Sequence, residues 1–167
     1  MKKNIFSNIF GFTLIEIIIY ISIFSMIVFS ISYFMNMLNN SRVHNQNILE
    51  VEDQGESIIR NITYKIRNAK SINNPTAGNS ESSLNLEMAD SSINPTIYSI
   101  TNGVIYIKEG TGTNIALSNN KVNISGLTFT NEGAMDKPGS IKIRFNLNTI
   151  MTKNSYESSF YGSSSIR

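Results

Sequence analysis

Residues 17–38 contain no Asp, Glu, Lys or Arg, and a carboxylate, Glu16, stands directly before them. A helix over that stretch is roughly 33 Å long, enough to cross a bilayer core of about 30 Å. A lone ionised carboxylate in hydrocarbon costs several kcal/mol unless something pairs with it, so Glu16 calls for a partner from the chain or from an assembly. The apolar region of an ordinary secretory signal is shorter, about 7 to 15 residues, and ends at a small-residue cleavage site. Here Ser30-Ile31-Ser32 is a poor version of such a site and the run continues through Tyr33, Phe34 and Met35, so the segment is expected to stay as an anchor. Lys2 and Lys3 precede it and Glu50, Glu52, Asp53 and Glu56 follow it, which places the amino terminus in the cytoplasm and the bulk of the chain outside. Ser22, Ser25, Ser30 and Ser32 inside the run can satisfy their hydroxyls on carbonyls one turn back.

The mean hydropathy of -0.08 averages two unlike parts, because from Asn39 onward the chain is rich in Asn, Ser, Thr and Gly. Basic and acidic residues are nearly balanced after the apolar run, so the chain carries no electrostatic footprint for nucleic acid. There is no cysteine, which excludes disulfides and cysteine-ligated metals. The only histidine, His44, lies in a polar stretch and reads as solvated. No triad, metal-ligand spacing, phosphate-binding glycine loop or calcium-loop pattern occurs, so no catalytic residue, cofactor or metal is expected and the chain does not read as an enzyme. Glu132 and Asp136 flank a glycine-containing loop and read as solvated rather than as a cation site. Asn61-Ile62-Thr63 and Asn123-Ile124-Ser125 match the glycosylation sequon, a pattern that arises by chance in an Asn-rich chain.

Beyond the apolar run a helical period resumes. Ile48, Val51, Gly55, Ile59, Ile62, Ile66 and Ala69 recur at spacings of three and four and predict an amphipathic helix over residues 39–70. Glu56 and Arg60 form an i, i+4 pair, Arg67 and Lys70 suit the negative end of the helix dipole, and Asn73, Asn74 and Pro75 end the element. Gly55 inside the stripe predicts a close approach or a small bend. From Ser80 the period is two. Leu84, Leu86 and Met88 alternate with Asn85 and Glu87. Residues 96–108 form a hairpin in which Asn102-Gly103 supplies a type I′ turn, pairing Thr101 with Val104, Ile100 with Ile105 and Tyr98 with Ile107. The face carrying Tyr98, Ile100, Ile105 and Ile107 is the expected seat of the helical stripe. Val122 and Ile124 change phase at Gly126 to Leu127 and Phe129, which predicts a bulge. Ile141, Ile143, Phe145 and Leu147 alternate strictly, and residues 156–161 predict an edge strand. Residues 73–80 and 131–139 read as loops. One long helix followed by antiparallel strands gives an α+β fold, with the helix on one face of a sheet.

The opening stretch "GFTLIE", Gly11 to Glu16, sits after a short polar, basic leader and before a long apolar helix. It resembles the prepilin signal of type IV pilins and type II secretion pseudopilins. That resemblance implies a pilin-like fold, with a leader at 1–11, a transmembrane helix half at 12–38, an amphipathic half at 39–70 and a β-sheet head at 71–167. It further implies that a prepilin peptidase cuts between Gly11 and Phe12 and methylates the new Phe12 amine. Glu16, fifth in the mature chain, would then pair with the amine of its own or a neighbouring subunit and act as an assembly key. The implied partners are the peptidase, other pilin or pseudopilin subunits, an inner-membrane assembly platform and, before assembly, the lipid bilayer. The order of "IRNAK", "IYSITNGVIYIKEG" and "VNISGLTF" is similar to J-type minor pseudopilins and W-type minor pilins, which implies a place near a filament tip. Two departures stand out: residues 7–10 carry no basic side chain, and the apolar run has no proline, with Tyr33 where many major pilins have one. The alternative is a permanently membrane-anchored exported binding domain.

Overall fold

The computed structural model describes residues 11–133, 139–150 and 155–166. Most of the expected leader, including Lys2 and Lys3, lies outside them, and so does Asp136. The chain divides into two compact units, residues 1–42 and 43–167. Helix α1 (Leu14–Arg67) supplies nearly all the described residues of the first unit and the opening segment of the second.

In the first unit α1 is apolar all round and its large side chains are exposed. The helix contains a segment long and apolar enough to cross a membrane. Its serines up to Ser32, and Asn36, are turned back onto the helix. Ser22, Ser30 and Ser32 donate to the carbonyls of Ile18, Met26 and Val28 at 2.7–2.9 Å, and Ser25 donates to that of Ser22 at 2.9 Å. Asn36 does the same to Ser32 through Nδ2. None of these groups therefore needs water.

The second unit packs α1 from Val43 onward on two antiparallel sheets. The strands are β1 (Ala69–Asn74), β2 (Ser80–Glu81), β3 (Leu84–Met88), β4 (Thr96–Thr101), β5 (Val104–Glu109), β6 (Ile115–Ala116), β7 (Val122–Asn131), β8 (Ser140–Thr149) and β9 (Glu157–Ser165). One sheet has the order β1-β3-β4-β5-β6 and the other β2-β7-β8-β9. A single core joins the helix and both sheets, with Ile58, Ile62 and Ile66 of the helix, Leu84, Leu86 and Tyr98 of the first sheet, and Phe129, Ile143 and Phe145 of the second at or below 1% exposure. Each such side chain contributes about 1.5–3 kcal/mol by leaving water.

The expected hairpin forms in the expected register. Thr101 pairs with Val104, Ile100 with Ile105 and Tyr98 with Ile107, and Asn102 and Gly103 have φ of 50° and 74°. Gly103 meets a second demand. A Cβ there would strike the Asn123 side chain, because the turn lies against β7 and its carbonyl accepts from Ile124 N at 2.8 Å. The phase change in β7 is a register shift between Ser125 and Thr128, centred on Gly126 at φ 63°. The strict alternation of β8 buries Ile141, Ile143, Phe145 and Leu147 completely.

Four expectations are corrected. The strands form two sheets, not one, because the pairings that separate them are non-local and no turn residue encodes them. The helix runs from Leu14 to Arg67, not from Phe12 to Lys70: Thr13 takes the cap at its start, Asn68 folds its side chain back onto the Tyr64 carbonyl at its end, and Ala69 is buried in β1, paired with Met88 of β3. Lys70 accordingly leaves the helix end and meets Glu87 at 3.3 Å. Residues 73–80 are not all loop, since Asn73 and Asn74 complete β1 and Ser80 opens β2. The buried line of α1 runs through Asn47, Val51, Gly55, Ile58, Ile62 and Ile66, with Ile48 and Ile59 at its half-buried margins. β9 is an edge strand as expected, but extends to Ser165.

Gly55 marks a close approach. A Cβ built on it would clash with the ring of Phe160, which is itself stacked on Phe145 at 5.4 Å between centroids. The full chain in detergent micelles carrying Gly55→Ala is expected to lose about 1–3 kcal/mol of stability by overpacking. Denaturant titration reads this loss, and adding Phe160→Leu should return part of it.

Candidate functional site

The residues singled out by the sequence, Gly11, Phe12 and Glu16, lie together at the start of α1. Gly11, Phe12 and Thr13 precede the helix in irregular conformation and are exposed, Phe12 at 69%. The Gly11–Phe12 peptide is thus open to an approaching protein. Among the described residues nothing demands glycine at 11, because a Cβ there would meet none of them within 4 Å. Thr13 caps the helix. Its carbonyl accepts from Glu16 N at 3.1 Å and from Ile17 N at 3.2 Å, and its Oγ1 accepts from Glu16 N at 3.3 Å. A threonine three residues ahead of a glutamate is the capping-box spacing, and Glu16 in the first turn also faces the positive end of the helix dipole.

The carboxylate of Glu16 has a partner inside the chain. Tyr20, one turn on, donates its hydroxyl to Glu16 Oε1 at 3.1 Å. Side chains on a helix lean toward its amino end, which carries the Tyr20 hydroxyl back over residue 16. The Tyr20 ring also packs edge-on against Phe12, with centroids 6.3 Å apart and planes at 76°. Sequence reasoning missed both Thr13 and Tyr20. The signals were available in the T-x-x-E spacing and in a phenol four residues after the one carboxylate.

The second unit has a shallow groove between the first helical turns after Val43 and the strand ends near Lys121 and Thr149. Glu50 lies in it, accepting from Asn119 Nδ2 and from Lys121 Nζ, the latter at 3.2 Å. The Asn119 hydrogen bond, and less so Lys121, hold its carboxyl below the ordinary carboxylate range. Glu87 is lowered by Ser71 and Lys70, and Asp90 by the Ser92 hydroxyl and N–H. Burial raises the Tyr98 phenol, with a smaller push from Glu109, so it stays a donor and gives its proton to Asn61 Oδ1 at 2.8 Å. Of the residues weighed as ligands or modification sites, Glu132 faces Lys142 at 3.6 Å and His44 is exposed. Both sequon asparagines are engaged in structural bonds, Asn61 with Tyr98 and Asn123 with Asn148.

No known protein family, no curated protein and no solved structure matches the chain.

The three lowered carboxylates bear on stability in acid. Each binds a proton less readily folded than unfolded, so its contribution is complete above the unfolded pKa near 4 and is lost as pH falls through the lower folded value. The thermal midpoint is therefore expected to drop as pH is taken from about 5 to about 3. Glu50→Gln should flatten that drop, as followed by circular dichroism.

Proposed function

We propose that the chain is a minor subunit of a type IV pilus or type II secretion pseudopilus: inserted as a membrane precursor, cut between Gly11 and Phe12, methylated at the Phe12 amine and packed helix to helix near a filament tip. In this reading the first part of α1 lies in the inner membrane before assembly, with the carboxyl-terminal unit outside the cytoplasm. One observation carries the proposal. An exposed, non-helical Gly11–Phe12 peptide sits immediately ahead of a capped helix whose first turn holds Glu16, the one carboxylate bordering the apolar run. A glycine that the fold itself does not use suits an external reader such as a peptidase, whose cleft would reject a Cβ. The exposed apolar side chains from Leu14 to Leu38 need hydrocarbon, first from lipid and then from neighbouring helices.

Cleavage turns the Phe12 amide into an ammonium, which can pair with a Glu16 carboxylate on a neighbouring subunit. Such a pair penalises wrong registers, since stranding either charge in an apolar bundle costs several kcal/mol. The competing reading, a permanently anchored exported binding domain, is favoured by the Tyr20 hydrogen bond, which gives Glu16 one donor without any second chain.

Mass spectrometry of the protein isolated from its host decides between them. The filament reading expects a chain beginning with N-methylated Phe12, whereas an intact first eleven residues in a host with an active prepilin peptidase would sink it. Glu16→Ala is expected to leave that cleavage unchanged and to cut incorporation into sheared filaments by at least about tenfold, judged by immunoblot.

A further inference from the structure

Tyr20 touches both members of the pair on which the filament reading depends. Its hydroxyl is bonded to Glu16 Oε1 and its ring lies edge-on against Phe12, the residue whose nitrogen becomes an amine. Glu16 and Tyr20 are four apart on one face of the helix start, and the Phe12 ring, from just ahead of the helix, packs on Tyr20. The nearby serines cannot serve in its place, because their hydroxyls donate to helix carbonyls. A carboxylate entering hydrocarbon without a donor would force either protonation or a costly buried charge, and a phenol one turn deeper meets that need at the membrane boundary.

We propose that Tyr20 is the positioning residue for Glu16: its hydroxyl holds one carboxylate oxygen while the subunit lies in the bilayer and leaves the other oxygen for the Phe12 ammonium of a neighbouring subunit. The proposal rests on the filament reading above and deepens it by naming what partners the carboxylate before assembly. The bond keeps the carboxylate in one rotamer, so the neighbour's amine meets a preformed acceptor. It also keeps the site from depending on a neighbour for its first hydrogen bond. The ammonium then completes the shell with charge, which the phenol cannot supply. Cleavage needs none of this, because the Gly11–Phe12 peptide lies outside the helix.

Tyr20→Phe removes the hydroxyl and keeps the ring on Phe12, which makes it the informative substitution. In the full-length precursor, labelled with carboxyl-13C glutamate and reconstituted in phosphatidylethanolamine/phosphatidylglycerol vesicles, the Glu16 resonance is identified by its loss in Glu16→Gln. Tyr20→Phe is expected to displace that resonance, a change that altered packing away from the carboxylate would not produce. In the host, the same variant is expected to be cut and methylated at the wild-type level and to enter filaments roughly tenfold less often, the loss of one hydrogen bond to a charged group. An unmoved resonance, or normal incorporation of correctly processed Tyr20→Phe, overturns the role given to Tyr20 and leaves the filament reading standing. A leader still attached in the wild-type chain overturns the filament reading, and the hand-over to a neighbour's amine with it.

Discussion

The carboxyl-terminal unit depends on the burial of one helical line against two sheets. Val51, Ile58, Ile62 and Ile66 lose nearly all contact with water, and they do so against side chains drawn from both sheets rather than one. Gly55 lies in the middle of that line and lets the Phe160 ring of the last strand come against the helix backbone. Around this apolar contact the polar bonds act as register marks. Tyr98 reaches Asn61, Lys65 pairs with Glu109, Tyr156 donates to Glu52 and Ser164 donates to the Thr63 carbonyl. Each ties a particular turn of the helix to a particular strand or, for Tyr156, to the residue entering β9, so that sliding by one turn breaks several bonds at once.

The amino-terminal part of α1 obeys the opposite rule. Among the described residues it buries no side chain, and its serines turn their hydroxyls onto the helix's own carbonyls. An apolar surface of this kind is stable only where another apolar phase covers it. Glu16 at its border is the exception that must be matched, and the chain meets it locally with a capping threonine, the positive end of the helix dipole and the Tyr20 hydroxyl. These local devices give the carboxylate a hydrogen-bond donor and a favourable dipole but no countercharge. They are compatible with a later ionic partner, and an assembly that selects neighbours by charge would exploit this.

Local patterns were legible because local forces set them. The Asn102-Gly103 turn, the phase change at Gly126, the alternation through β8 and the return of the serine hydroxyls each follow from a few adjacent residues. Legibility failed where distant residues compete. Ala69 continues the helical spacing, yet joins β1 because Met88 offers a strand partner and Asn68 closes the helix. Ile58 displaces Ile59 as the central buried side chain because the helix faces two sheets, and the stripe read from spacing alone assumed one.

The sequence by itself determined the apolar segment, the single bordering carboxylate, the amphipathic continuation and the two-residue periods of the strands, since these follow from residue polarity at fixed helical and strand repeats. Only the tertiary structure decided which strands pair, that they divide into two sheets, and that the Phe160 ring rather than a bend explains Gly55. Those outcomes depend on contacts between residues tens of positions apart, whose complementarity of shape no local repeat records.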